Sequence, residues 1–517
     1  MELEAQSLET IEAQRKLIAH QQAVIEALEQ KVSLLIEQVN ILKRGLYGRS
    51  SERIDPDQLA LFDEAELRAS ADPDPEPELP PVQKPNKKGH GRAPFRADLP
   101  REVIELDLDP EDRICPTCDE ALKPMGEDVA ERGHFIPAKI VVRRYVKKKY
   151  GCPEGHVVRT AEAPPALIER CKYEPSVYAH VVTAKYCDHL PLHRLSGIFK
   201  RHGVHLPKQT MWDMLCRVDE LVAQPVLKQM REEILQYLHL HADETPVVLR
   251  NEDEKGTRQS YAWDYRTLDH KVVVDFRLSR GRDGPKSFLG RYGGTMIMDA
   301  YSGYDEVVRE NGIRRAGCWA HARRKLKDAL DTGSQEATRV LAAVQRLFRI
   351  ERAILARAEA RGLDRADMWI LRQEVRARRS IVVLKRIYHE AEQLHADART
   401  LPKSALGKAV KYLFRQEAPL RLFLDDPRLP IHNNDAERDL RHLAIGRKNW
   451  LVFGSPKGGE VACRLYSLVL SAKSSGIDPE AYLADILERV SVTPMSRIAE
   501  LTPWAWAEAR GAGAPAG

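Results

Sequence analysis

The sequence has no run of about 18 apolar residues, the length a membrane-spanning helix needs. Its first ten residues, Met1 to Thr10, are acidic and hold no apolar core of the kind a secretory signal carries. The expectation is a cytoplasmic protein with no membrane partner. Cysteine is scarce, with 8 in 517 residues, and only Cys115, Cys118 and Cys152 fall in metal-like spacing. A disulfide framework is therefore not expected, and Cys171, Cys187, Cys216, Cys318 and Cys463 read as ordinary thiols. A strong charge of one sign is missing too: 81 Lys and Arg stand against 76 Asp and Glu, a formal net of only +5.

That total conceals a division. Residues 1–82 carry 8 basic and 17 acidic side chains, which leaves a net of +14 on residues 83–517. An acidic arm masks a basic body, a reason to look for a polyanion partner. At roughly 100 to 200 residues per domain, the chain should fold as several units.

Apolar residues recur every seven positions at Ile11, Ile18, Ile25, Val32 and Val39, with Gln14, Gln21, Leu28, Leu35 and Leu42 three positions later. β-branched residues at one seam position and Leu at the other favour a parallel two-stranded coiled coil over residues 1–45. The competing reading is an amphipathic helix laid on its own body. Residues 46–100 read as a linker, with the extended run Asp72 to Pro77 followed by a basic arm, Lys84, Lys87, Lys88, Arg92 and Arg96. Such an arm can lie along phosphates or serve as a solvated tether.

Over residues 101–160, Cys115 and Cys118 form one half of a zinc knuckle, and Cys152 and His156 supply a thiolate and an imidazole for the other. Between them lie Arg143, Arg144 and Lys147, interleaved with Val141, Val142, Tyr145 and Val146, a basic strand suited to DNA. If Cys152 and His156 are unrelated to the first pair, the site fails. Residues 161–225 read as helical. Two stretches, Leu192–Arg201 and Lys208–Val218, flank a turn at Gly203 and resemble a helix-turn-helix, with Lys208 where base-reading side chains sit. Any helical hairpin would look similar.

Strand patterns follow at 237–242, 260–265, 271–278 and 295–298, and residues 335–426, rich in Ala, Arg, Leu and Glu, read as a helical insertion. The alternating run Leu238 to Ala242 delivers Asp243 at a strand end, and Thr295 to Met298 delivers Asp299. If those strands are parallel neighbours, both carboxylates lie at one edge of the sheet. A third, Glu437, falls in the first turn of a helix that Asn434 is expected to cap. Three carboxylates of this kind can hold two Mg²⁺ ions about 4 Å apart for in-line phosphoryl displacement. Arg323, Arg324, Arg438, Arg441, Arg447 and Lys448 stand nearby in sequence as candidate phosphate contacts, and His321 as a residue for proton transfer or a structural one.

These blocks resemble the DDE transposases of the insertion-sequence-66 family. The resemblance is carried by Leu46 to Glu52, the knuckle from Cys115 to His156, His241 to Pro246, and Cys318 to Arg324. It is carried further by Asn433 to Arg438, Gly446 to Trp450 and Asp478 to Leu483. It implies a multidomain α+β chain with an RNase H-like catalytic core at 226–470 and a C-terminal helix and tail at 471–517. It also implies Asp243, Asp299 and Glu437 as the DDE residues, Mg²⁺ or Mn²⁺ at that site and structural Zn²⁺ in the knuckle. The expected activity is cleavage of transposon ends and strand transfer into target DNA by a dimer or higher oligomer, with small accessory proteins of the same element as further partners. The family's zinc segment usually ends in a second Cys-x-x-Cys, whereas here Cys152 is followed by His156.

Overall fold

The computed structural model describes residues 2–47, 140–146, 148–151, 158–160, 167, 172–250 and 256–511. Cys115, Cys118, Cys152, His156, Lys147, the basic arm and the tail after Gly511 lie outside them. The chain divides into two units, residues 1–71 with 143–517, and residues 72–142. The first of these holds the long N-terminal helix, the sheets and the helices around them.

Helix α1 (Glu2–Tyr47) is one continuous 46-residue element, as the heptads require. The hairpin β1 (Lys149–Gly151) and β2 (Val158–Thr160) comes next. Three helices pack together after it: α2 (Pro175–Tyr186), α3 (Leu192–Arg201) and α4 (Lys208–Val218). Pro191 and Pro207 immediately precede α3 and α4, and Gly203, at φ +80°, turns the chain between them. Helix α4 buries Met211, Met214, Leu215 and Val218 and leaves Lys208 and Gln209 exposed. A π-turn, Asp219–Ala223, joins it to α5 (Gln224–Ile234). Buried Asp219 is satisfied there by Arg464 Nε at 2.6 Å and Gln224 Nε2 at 2.9 Å, which fixes the irregular turn.

The central sheet is built from β3 (His239–Arg250), β4 (Thr257–Thr267) and β5 (Val272–Arg277). Helix α6 (Asp283–Leu289), β6 (Thr295–Ile297), α7 (Asp305–Asn311) and β7 (Arg314–Ala316) complete it. Strand order is β5-β4-β3-β6-β7; the first three are antiparallel neighbours, and β3–β6 and β6–β7 are parallel. Strand β3 pairs with β6 only over His239–His241, while its pairing with β4 continues to Arg250. Asp243 consequently lies inside a long strand rather than at its end. The hairpin partner β4 carries β3 onward after β6 has stopped.

The stretch expected as a helical insertion is helical. Helix α8 (Trp319–Asp331) precedes it, and it comprises α9 (Ala337–Ala360), α10 (Arg365–Val375), α11 (Ile381–Ala396), α12 (Ala405–Arg415) and α13 (Glu417–Arg421). Its own core, with Val344, Leu347, Leu384, Ile387 and Leu413, reaches the sheet through Ile297, Ala316 and Trp319. Fully buried Arg376 ties it together, donating to both oxygens of Glu351 at 2.7 and 2.8 Å and to the carbonyls of Phe423, Asp426 and Leu429. A buried charge so fully satisfied costs far less than an unpaired one.

Four helices follow: α14 (Asn434–Trp450), α15 (Pro456–Ser474), α16 (Pro479–Arg489) and α17 (Pro503–Ala509). Helix α15 covers the free edge of β5 in an unusual way. Ser467 and Ser471, one turn apart, accept from Val274 N and Val272 N; Ser471 donates in turn to the Val272 carbonyl at 2.7 Å, and Ser467 to Cys463 O of its own helix at 2.8 Å. The open hydrogen-bonding edge of the sheet is thereby closed by side chains. Near its end, α1 meets the insertion and the helix before it: Glu37 accepts from Ala405 N at 2.6 Å and Asn40 donates to Thr332 O at 3.3 Å. The heptad seam points elsewhere, since Ile25, Leu28, Val32, Leu35 and Val39 are all exposed. Among the described residues no helix is long and apolar enough to cross a membrane.

Candidate active site

The parallel pairing of β3 with β6 brings Asp243 and Asp299 to the same end of the sheet, and α14 supplies Glu437 from its first turn. Burial is the main force on the Asp243 carboxyl, pushing its pKa up to about 8, and the negative charges of Glu244, Glu437 and Asp299 add to the push. Carboxylates from β3, β6 and α14 thus act on one buried group. Asp243 Oδ1 accepts from Glu244 N at 3.0 Å, and Asp299 Oδ1 from Tyr301 N at 2.9 Å. One oxygen of Glu437 accepts from Arg324 at 3.1 Å. The other is buried, makes no hydrogen bond, and lies 3.8 Å from His321 Nε2.

Glu244 is a fourth carboxylate here, almost fully covered and held by Arg280 at 2.5 Å and Tyr304 at 3.2 Å. Directly across the β3–β4 register from Asp243 stands Asp264, fully buried, with no hydrogen bond to either oxygen. Burial, with Asp439 second, lifts its carboxyl far above the ordinary range. Asp439 lies on α14, two residues past Glu437, and accepts from Arg266 of β4 at 2.5 Å.

Asn433, not Asn434, precedes the first turn of α14, and its side chain makes no cap. It is committed to β3 instead: Oδ1 accepts from His241 Nδ1 at 2.7 Å and Nδ2 donates to Ala242 O at 2.9 Å. Its backbone N–H meets Cys318 Sγ at 3.2 Å. A second tie, His239 Nε2 to Asp426 Oδ2 at 2.7 Å, holds the end of the insertion to the start of β3.

The basic residues separate into kinds. Arg143, Arg144, Lys208, Arg324, Arg438 and Lys448 are exposed, although Arg324 faces Glu437 and Arg438 lies 3.4 Å from Asp435. Arg323 is half-buried with its guanidinium over the Phe348 ring, Arg441 is half-buried, and Arg447 donates to Pro246 O.

Among the described residues no three His, Cys, Asp or Glu side chains stand close enough together to hold a metal ion. The donor set nevertheless suits a hard cation. It is made of carboxylate oxygens, one of them buried and unpartnered, around a carboxyl that burial and like charge load with a proton.

The family model described as "Transposase IS66 family" matches residues 170–461, more than half of the chain. The chain belongs to the IS66 family of transposases. Two further models of the family match as well: the zinc-finger binding domain of transposase IS66 at residues 112–154, and the IS66 C-terminal element at 467–504. A fourth, "Transposase C of IS166 homeodomain", matches 34–104. The uncharacterized protein y4jD of Sinorhizobium fredii is 31% identical over 508 residues, covering 93% of this chain and 96% of its own. The uncharacterized protein y4hP of the same organism is 29% identical, covering 94% and 90%. In this IS66 member the zinc-finger match includes Cys115, Cys118 and Cys152 and ends two residues before His156.

Sequence reasoning missed Asp264, Asp439 and the task of Asn433. Asp264 carried a signal, an acid flanked by Trp263 and Tyr265 in a strand, where a charge has no ordinary reason to be.

Proposed function

We propose that the chain is a DNA transposase that binds the ends of its element and catalyses strand cleavage and strand transfer from an RNase H-like core. The observation that carries this reading is the placement of Asp243, Asp299 and Glu437 by the parallel β3–β6 pair of a β5-β4-β3-β6-β7 sheet and by the first turn of α14, with burial and the neighbouring carboxylates raising the Asp243 carboxyl in support. Asp243, Asp299 and Glu437 would hold Mg²⁺ or Mn²⁺, which supplies a charged template for in-line displacement at phosphorus. Arg324, which donates to Glu437 at 3.1 Å, would lie beside the phosphate being attacked, and Asn433 holds the first turn of α14 against β3.

Arg143, Arg144, Lys147, Lys208, Arg323, Arg438, Arg441, Arg447 and Lys448 contribute the basic surface for DNA. Cys115, Cys118 and Cys152, with His156 as fourth ligand, would hold a structural Zn²⁺. The exposed seam of α1 pairs with a second copy. The test is to incubate the full chain with a duplex bearing the element's end and Mg²⁺, mapping nicks at nucleotide resolution. Asp243→Ala and Glu437→Ala should each abolish nicking while a mobility shift shows unchanged end binding. Nicking by either variant refutes the assignment.

A further inference from the structure

Helix α14 ends in a feature that neither the carboxylate site nor the family assignment uses. Leu451, just past Trp450, has φ +65° and ψ −57°, and Val452 N donates to Trp450 O at 2.8 Å. This is a γ-turn of the rare positive-φ kind, a strained conformation for any residue with a side chain and more so for a large one. The strain is held in place on both sides. Leu451 N donates to Arg447 O at 2.9 Å. Phe453 is hooked onto β3 through its N–H to Val248 O and its carbonyl to Arg250 N, each at 2.9 Å. Trp450 and Phe453 stack beneath the turn with centroids 4.6 Å apart, and Phe276 meets Phe453 edge-on.

The rigid base presents an apolar tip to solvent. Leu451 is 66% exposed and Val452 36%. Basic residues flank it along the chain and on β3: Lys448 and Arg250 are exposed, and Arg447, on the last turn of α14, donates to Pro246 O. A strained, braced, exposed leucine with basic residues on both flanking segments matches a side chain that enters a base step while its neighbours hold the phosphates.

We propose that Leu451 is a wedge that opens one base step of the bound duplex. This rests on the reading of the chain as a DNA transposase. The extension of β3 and α14 both run from the carboxylates to this tip. Fourteen residues at about 1.5 Å each set the tip about 20 Å from Glu437 along α14, so the opened step would lie within about six base pairs of the cut at about 3.4 Å per pair.

The experiment uses the full chain and an element-end duplex with 2-aminopurine placed singly at successive positions inward from the nick. The wild-type protein should raise fluorescence at one position within about the first six. Leu451→Ala and Leu451→Gly should abolish that rise and slow nicking about tenfold, a part of the few kcal/mol that unstacking one base step costs. Leu451→Met should retain both. Glycine relieves the positive φ, so Leu451→Gly should melt no lower than wild type, which separates loss of the wedge from misfolding. Nicking without a rise at any position, or a rise that survives Leu451→Ala, overturns the proposal. So does a change of mass in solution on Leu451→Ala with fluorescence intact, which would make the tip a protein contact. Asp243→Ala should keep the fluorescence and lose nicking; an Asp243→Ala protein that still nicks refutes the catalytic assignment and leaves the wedge standing.

Discussion

The side chain of Asn433 bridges His241 and Ala242, joining the start of the Glu437 helix to the strand residues immediately before Asp243. It is fully buried, and its own N–H is spent on Cys318 at the start of the His321 helix. Three segments far apart in sequence are thus registered by one residue. Because the Asn oxygen can only accept, the contact also fixes the proton of His241 on Nδ1.

Asn433→Ala should therefore cost about 1–3 kcal/mol of stability, since it leaves His241 Nδ1 and the Ala242 carbonyl unpaired in the interior. Nicking should fall by more than that loss explains, with end binding unchanged. Calorimetry and single-turnover nicking at a temperature where the variant is fully folded check this together. A variant that is destabilised yet nicks at the wild-type rate would reduce Asn433 to a fold residue.

The parts of the fold and site that were legible beforehand differ from the rest in the kind of signal each leaves. Alternation in Leu238 to Ala242 and the short apolar run at Thr295 to Ile297 announce β3 and β6 and place Asp243 and Asp299 together. Strand β7 announces nothing, because three residues beginning Arg314-Arg315 show no apolar alternation; parallel pairing to β6 makes them a strand. The site's inner layer is hidden for a different reason. Asp264 faces Asp243 only through the β3–β4 register, and Asp439 meets Arg266 only because α14 lies across that hairpin. Composition and spacing carry no register across a hairpin whose two strands are buried on both faces. The placement of the cap at Asn434 failed on the same ground, since tertiary bonds claimed the Asn433 side chain.

The two raised carboxyls give a signed pH dependence in metal-free protein. A carboxyl whose pKa is higher folded than unfolded binds its proton more tightly in the native state. Its contribution is complete below the unfolded value of about 4 and is lost as pH rises through the folded one. For Asp243 that upper limit is about 8, and Asp264 is shifted in the same direction. Each pH unit inside the window should remove up to about 1.4 kcal/mol per group. Taken as a difference, the melting temperature of wild type without metal should fall relative to that of Asp243→Asn or Asp264→Asn from about pH 5 to about pH 8; the histidines that burial holds down, with His241 and His442 at about 4, drive the opposite trend below about pH 6.5 and cancel in that comparison. Mg²⁺ should restore stability at the upper end for wild type and fail to do so for Asp243→Asn. A slope indifferent to both substitutions would contradict the burial of charge argued for this site.

Helix α1 offers two faces with different expected duties. Glu37 and Asn40 meet helix ends, Glu37 at the first N–H of α12 in the insertion and Asn40 at Thr332, the residue after α8. Val32 and Leu35 belong to the seam and are each 53% exposed. A seam that buries itself against a second copy responds to charge, because paired carboxylates at its centre cannot be desolvated. Val32→Glu combined with Leu35→Glu should shift the full chain from dimer to monomer in sedimentation, with the thermal transition of the sheet unchanged. Glu37→Ala should leave the mass alone and cost about 1 kcal/mol or less, the scale of one lost helix-terminus contact. If the doubly charged seam still sediments as a dimer, α1 does not assemble the protein and self-association must be sought on another surface; if Glu37→Ala dissociates it, the docking of α1 on the insertion is what the dimer requires.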